Sequence, residues 1–83
     1  KLYQEGYGYY QRGKYEDAIT DLQKIVDEEE DFQDGSAAYY LAQSYRKNGD
    51  TDQAKKLYSQ LVELFPDSER TSKANQALQE LDS

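Results

Sequence analysis

The sequence predicts an all-α fold of two helical hairpins followed by a C-terminal capping helix. Three observations carry this expectation. The chain repeats itself: Tyr9–Tyr10–Gln11–Arg12–Gly13–Lys14–Tyr15–Glu16–Asp17–Ala18 runs parallel to Tyr45–Arg46–Lys47–Asn48–Gly49–Asp50–Thr51–Asp52–Gln53–Ala54 at an offset of 36. A period of that length marks a repeat architecture. Apolar residues recur at helical spacing on both sides of Gly13 and of Gly49. Each unit therefore reads as helix, glycine turn, helix.

The helices are expected over 1–12, 15–29, 35–48, 51–65 and 69–81. They form a single domain, 1–83, with unit one at 1–34, unit two at 35–68 and the capping helix at 69–83. Leu2, Gly6, Tyr9 and Tyr10 give the first helix one apolar face, and Tyr15, Ala18, Ile19, Leu22, Ile25 and Val26 do the same for the second. Ala38, Leu41, Ala42 and Tyr45, then Ala54, Leu57, Tyr58, Leu61, Val62 and Phe65, repeat the pattern. Asn48–Gly49 is a helix stop, since glycine takes the left-handed conformation without a Cβ penalty. Asp50 suits the N-cap of the fourth helix, whereas Lys14 at the equivalent place cannot cap the second. Pro66 ends the fourth helix, and Asp67 or Ser68 can cap the fifth. That fifth helix has a weaker apolar face of Ala74, Ala77, Leu78 and Leu81. It covers the last pair or forms half of a third unit. Small residues at Gly6, Ala18, Ala42 and Ala54 fit close helix crossings.

Composition bounds the function. In 83 residues Leu, Ile, Val and Phe number only fourteen, and the formal charge is −7. That balance lies near the disordered class. Nine tyrosines offset it, each bringing a large apolar ring with one hydroxyl to satisfy. With no Cys and no His, disulfides, thiol chemistry, imidazole bases and the usual zinc ligands are excluded. Ten basic against seventeen acidic residues, without a basic stripe, argue against nucleic acid and anionic lipid as partners. No segment is long and apolar enough for direct membrane insertion. A chain that opens at Lys1 without Met is expected to be an excised domain or a processed product.

Gly6, Tyr9, Gly13, Tyr15, Ala18, Leu22 and Ile25 in the first unit, with Leu41, Ala42, Tyr45, Gly49, Ala54, Tyr58, Leu61 and Pro66 in the second, give the chain a pattern that resembles the tetratricopeptide repeat. The resemblance covers nearly the whole chain. It departs at Glu5, where the family usually places Leu, in the absence of a terminal Pro from unit one, and in about two extra residues around Glu30 to Asp34. The resemblance implies a right-handed α-solenoid fragment. The first helix of each pair would line a concave surface and the second would form the outer wall. It implies that Tyr3, Tyr7, Tyr10, Tyr39, Gln43, Arg46 and Lys47 face the concave side and bind a protein or peptide there. The alternative is a structural spacer or self-association unit with the groove filled intramolecularly. Tyr9, Tyr15, Tyr45 and Tyr58 are assigned to packing, and Tyr40 is unassigned. Some family members grip a partner's C-terminal carboxylate with Lys, Arg and Asn side chains, a set this chain lacks apart from Arg46 and Lys47. Leu64–Phe65–Pro66–Asp67–Ser68 also looks like repeat joints of bacterial extracytoplasmic tetratricopeptide proteins, which weights the expected location toward the bacterial cell envelope over the cytoplasm.

The densest charge run, Asp27–Glu28–Glu29–Glu30–Asp31, is expected to oppose the helix dipole and fray the second helix. Were Gly35 the central glycine of a calcium loop, Phe32 and Leu41 would fall at ligand positions, and neither can ligate. The carboxylates gather in no predicted pocket, and the serines lack an activating base. No cofactor, metal or catalytic residue is therefore expected.

Overall fold

The computed structural model describes residues 2–28 and 35–81, through five helices in succession: α1 (Leu2–Gln11), α2 (Tyr15–Glu28), α3 (Ser36–Lys47), α4 (Thr51–Leu64) and α5 (Glu69–Leu81). Every bound lies within one residue of its expected place. The far end of the acidic run, Glu29 to Asp31, and the extra residues up to Asp34 lie outside the described residues.

The two hairpin turns are copies of one another. Gly13 and Gly49 have φ of 81° and 92°, where any side chain would be strained. The amide of Gly13 donates to Tyr10 O and that of Lys14 to Tyr9 O, at 3.1 and 2.9 Å. In the second unit Gly49 donates to Arg46 O and Asp50 to Tyr45 O, at 3.2 and 2.8 Å. This pair of bonds is the Schellman closure, which satisfies the carbonyls left over at a helix end. It also corrects one expectation. Asp50, with ψ of 66°, makes no side-chain capping bond to α4. Its backbone is committed to the turn behind it and to Ala54 N–H in front, just as Lys14 is to Ala18 N–H. The two second helices thus begin alike despite different residues. Ser68 does cap: its Oγ accepts the Arg70 amide at 3.1 Å, so α5 starts cleanly after Pro66.

Each helix packs on the next, α1 on α2, α2 on α3, α3 on α4 and α4 on α5. The core is a seam of small and branched residues. Ala18, Ala42, Ala54 and Ala74 are wholly buried, and Leu22, Leu41, Leu61 and Tyr58 fill the spaces between them. Burying each such leucine contributes about 2 to 3 kcal/mol. Gly6 is the only buried residue of α1. A Cβ there would stand 2.9 Å from Leu22 Cγ and 3.2 Å from Asp21 Cβ, so α1 rests directly on α2. Asp21 shares that contact. It is buried, its Oδ2 has no donor among the described residues, and the Glu5 carboxyl group faces it from α1.

α5 stands over α3 in a fixed register. Arg70 Nε donates to Ser36 Oγ at 2.9 Å, and Arg46 pairs with Glu80 Oε1 at 2.6 Å. Both pairs span 34 residues, so α5 occupies the place of the first helix of a third unit. Thr71, buried with Ala74 and Ala77, bonds its hydroxyl to Phe65 O and ties the joint to the core. Leu78 and Leu81 are only half-buried, in keeping with a terminal helix.

Two outcomes are expected. Gly6→Ala destabilises by about 1 to 3 kcal/mol, because Leu22 must move. Gly8→Ala meets only the Arg12 guanidinium at 3.6 Å and stabilises α1 by about 1 kcal/mol. Urea unfolding followed at 222 nm separates the two. Burial, then Glu5, raises the Asp21 pKa above its ordinary 3.8. A group raised on folding favours the folded state at low pH, and that advantage is lost as pH rises through its folded pKa. Asp21→Asn is therefore expected to raise the urea midpoint at pH 7 and to flatten its acid-side pH dependence.

Candidate functional site

Helical spacing alone aligns Tyr3, Tyr7 and Tyr10 on one stripe of α1. Their rings stack in sequence, Tyr3 on Tyr7 at 6.1 Å between centroids and Tyr7 on Tyr10 at 6.5 Å. The stripe is joined to α3 by Tyr40, whose ring lies 4.7 Å from Tyr7, 5.3 Å from Tyr10 and 5.1 Å from Tyr39. Tilted and edge-on pairs of this kind contribute about 0.5 to 1.5 kcal/mol each beyond area burial. Tyr15 closes on Tyr10 at one side, and Tyr39 reaches Tyr58 at the other. Tyr3, Tyr7, Tyr10, Tyr39 and Tyr40 are all half-buried, each ring partly covered and partly open to solvent.

A polar layer lies next to the rings. Gln43 donates to the Tyr10 hydroxyl at 3.3 Å and accepts from the Tyr58 hydroxyl. The amide of one glutamine thus links α1, α3 and α4. Burial pushes the Tyr58 phenol up to about 12, although the adjacent Arg46 guanidinium pulls the other way. Arg46 in turn is held by Glu80, which raises its pKa further. Arg70 comes from α5, with its guanidinium carbon 5.5 Å from the Tyr40 ring centre and 5.8 Å from that of Tyr39. Burial raises the pKa of both tyrosines.

Of the expected face, Tyr3, Tyr7, Tyr10, Tyr39 and Gln43 are brought together. Arg46 joins through Tyr58 and Glu80. Lys47 is exposed, and among the described residues no bond ties it to the rings. Tyr58 is fully buried, as packing requires. Tyr9 is half-buried against the core beneath the Arg12 guanidinium, and Tyr45 donates to Gln23 Oε1 at 3.1 Å across α2 and α3. Tyr15 packs against the ring cluster rather than the central core. Two members escaped the sequence reading, Tyr40 and Arg70. Tyr40 lies three residues before Gln43 on the same helix, a usable signal. Arg70 reaches the face only because α5 folds back over α3.

Away from the rings, a groove of about 560 Å³ opens between α2 and α4, with Ala38 of α3, Val26, Leu57, Leu61 and Leu64 among its walls. It contains none of the residues of the expected face. Among the described residues, no group of three or more His, Cys, Asp or Glu could hold a metal ion, and no helix is long and apolar enough to cross a membrane.

Paired helices with matching glycine turns, stacked in order, are the architecture implied by the repeat pattern. A family model described as tetratricopeptide repeat matches residues 2–30 and 36–68. The chain belongs to the tetratricopeptide repeat family. No curated protein and no solved structure matches it. Tetratricopeptide repeats are a non-catalytic scaffold family that mediates protein and peptide binding through a concave surface.

Tyr58 offers a check on the polar layer. Its pKa, raised on folding, favours the folded state below pH 10, and this contribution is lost between pH 10 and about 12. In an absorbance titration of phenolate near 295 nm, Tyr58→Phe is expected to remove the last step. At neutral pH the same change costs about 1 to 2 kcal/mol by leaving the Gln43 carbonyl without its donor.

Proposed function

We propose that this tetratricopeptide domain binds an extended or helical segment of a partner protein across the tyrosine face of α1 and α3. The observation that carries this reading is the half-burial of Tyr3, Tyr7, Tyr10, Tyr39 and Tyr40 together on the first helices of consecutive pairs. Rings held by one another lose little conformational freedom when a ligand arrives, and each offers both contact area and a hydroxyl. Gln43 and Arg46 contribute polar groups at the same face. No catalytic step is assigned to the domain.

One observation favours a structural reading instead. The rings contact one another and Arg70 so extensively that they serve as mortar between α1, α3 and α5. On that reading the domain is a spacer or self-association unit of a larger protein.

Replacing Tyr7 and Tyr39 together by Ala tests both. The binding reading expects the helical signal at 222 nm to persist in the cold, the melting midpoint to fall by about 10 °C or more as five ring contacts are lost, and capture of partners from the native cell extract to vanish. Lys56→Glu, on the wall of the α2–α4 groove, is expected to leave capture unchanged. Undiminished capture by the tyrosine variant, or its failure to fold, sinks the binding assignment and favours the structural one.

A further inference from the structure

We propose that the tyrosine face recognises an acidic side chain of the bound segment, a single Asp or Glu next to an apolar residue, through the guanidinium of Arg70. This rests on the reading of the face as a binding surface. Two guanidinium groups border the rings, and they are in different states. Arg46 is neutralised by Glu80 at 2.6 Å. Arg70 has no carboxylate within ion-pair distance among the described residues. Its Nε is used by Ser36 Oγ at 2.9 Å, and its guanidinium carbon lies 5.5 Å from the Tyr40 ring centre and 5.8 Å from that of Tyr39.

A guanidinium carries five N–H donors in a rigid fork. The rings interact with its charge but accept none of the in-plane N–H bonds in a directional way. With Nε committed to serine, the remaining donors match a planar acceptor with two oxygens, which a carboxylate supplies in bidentate form. Packing between two rings and a serine also holds the side chain in place before any ligand arrives, which lowers the ordering cost of binding.

The rest of the chain narrows the partner further. With a formal charge of −7, the domain repels a long acidic tract, whereas one carboxylate set among apolar residues meets mainly Arg70. Those apolar neighbours match the open ring surfaces of Tyr3, Tyr7 and Tyr39.

The test uses a phage-displayed library of random 12-residue peptides whose C termini are fused to the coat protein. It is panned on the wild-type domain and on the variant with Tyr7 and Tyr39 changed to Ala. Expected winners depend on the tyrosines and carry Asp or Glu beside an aromatic or aliphatic residue. For a synthetic winner, changing that acid to its amide is expected to weaken binding to the wild-type domain about 10-fold or more. Arg70→Gln should do the same, with no further loss when both changes are combined. Amidating the peptide's C terminus should have no effect. Because the peptide substitution is measured on the unaltered protein, the need for the acid does not depend on how Arg70→Gln folds, and an unchanged helical signal at 222 nm for Arg70→Gln validates the combined measurement. Tyrosine-dependent winners without an acid, with an acid indifferent to Arg70→Gln, or with affinity that depends on a free C terminus, overturn the carboxylate assignment and leave the tyrosine face standing. Winners that ignore the tyrosines, or no winners, overturn both.

Discussion

Close approach of the helices is the constraint on which the rest of this structure depends. With so few large aliphatic side chains, the chain cannot fill wide gaps, and it narrows them instead by placing Gly6, Ala18, Ala42, Ala54 and Ala74 at the crossings. Gly6 is the extreme case, since Leu22 occupies the volume that a Cβ would need. Gly6 is the one buried residue of α1, so the position of α1 depends on that contact, on half-buried Leu2 and Tyr9 against the core, and on the tyrosine rings facing α3. The same economy carries Asp21 into the α1–α2 interface beside Glu5, although a buried carboxylate whose Oδ2 has no donor among the described residues is unfavourable there at neutral pH.

Once α1 is set against α2, the remaining order follows by stacking. Identical Schellman turns return the second helix of each pair along the first, and α5 repeats the placement of α3 one period later. Tyr7 and Tyr10 of α1 then meet Tyr40 of α3 at the seam between first helices. Tyr40 is central to this, since three other tyrosine rings pack around it. A face assembled in this way is rigid where it is buried and aromatic where it is open. On the function proposed above, that combination serves recognition of a segment by shape and by a few polar contacts, with Gln43 and Arg70 beside the rings.

Much of the fold was legible because its signals are local. The glycine turns, the proline joint and the helical periodicity act over a few residues, and all five helices lie where these placed them. The capping contrast between Lys14 and Asp50 was not, because the backbone of residue 50 answers to the turn before it as well as to the helix after it. The candidate face was partly legible. Spacing along α1 and α3 collected Tyr3, Tyr7, Tyr10, Tyr39 and Gln43, but it also swept in Lys47, which stands apart. It left out Tyr40, whose partners are all contributed by tertiary contact or by its chain neighbour.

The sequence by itself determined the helices, their pairing, the family and the surplus of tyrosine, since each depends on residue type at fixed short spacing. Only the tertiary structure decided what the tyrosines do. Ring contacts between α1 and α3 made Tyr40 the centre of the cluster, and the return of α5 brought Arg70 over it. It also gave the two arginines different states, pairing Arg46 with Glu80 while leaving the Arg70 fork without a carboxylate among the described residues. Those distinctions arise from contacts about 34 residues apart in the chain, beyond the reach of any local pattern.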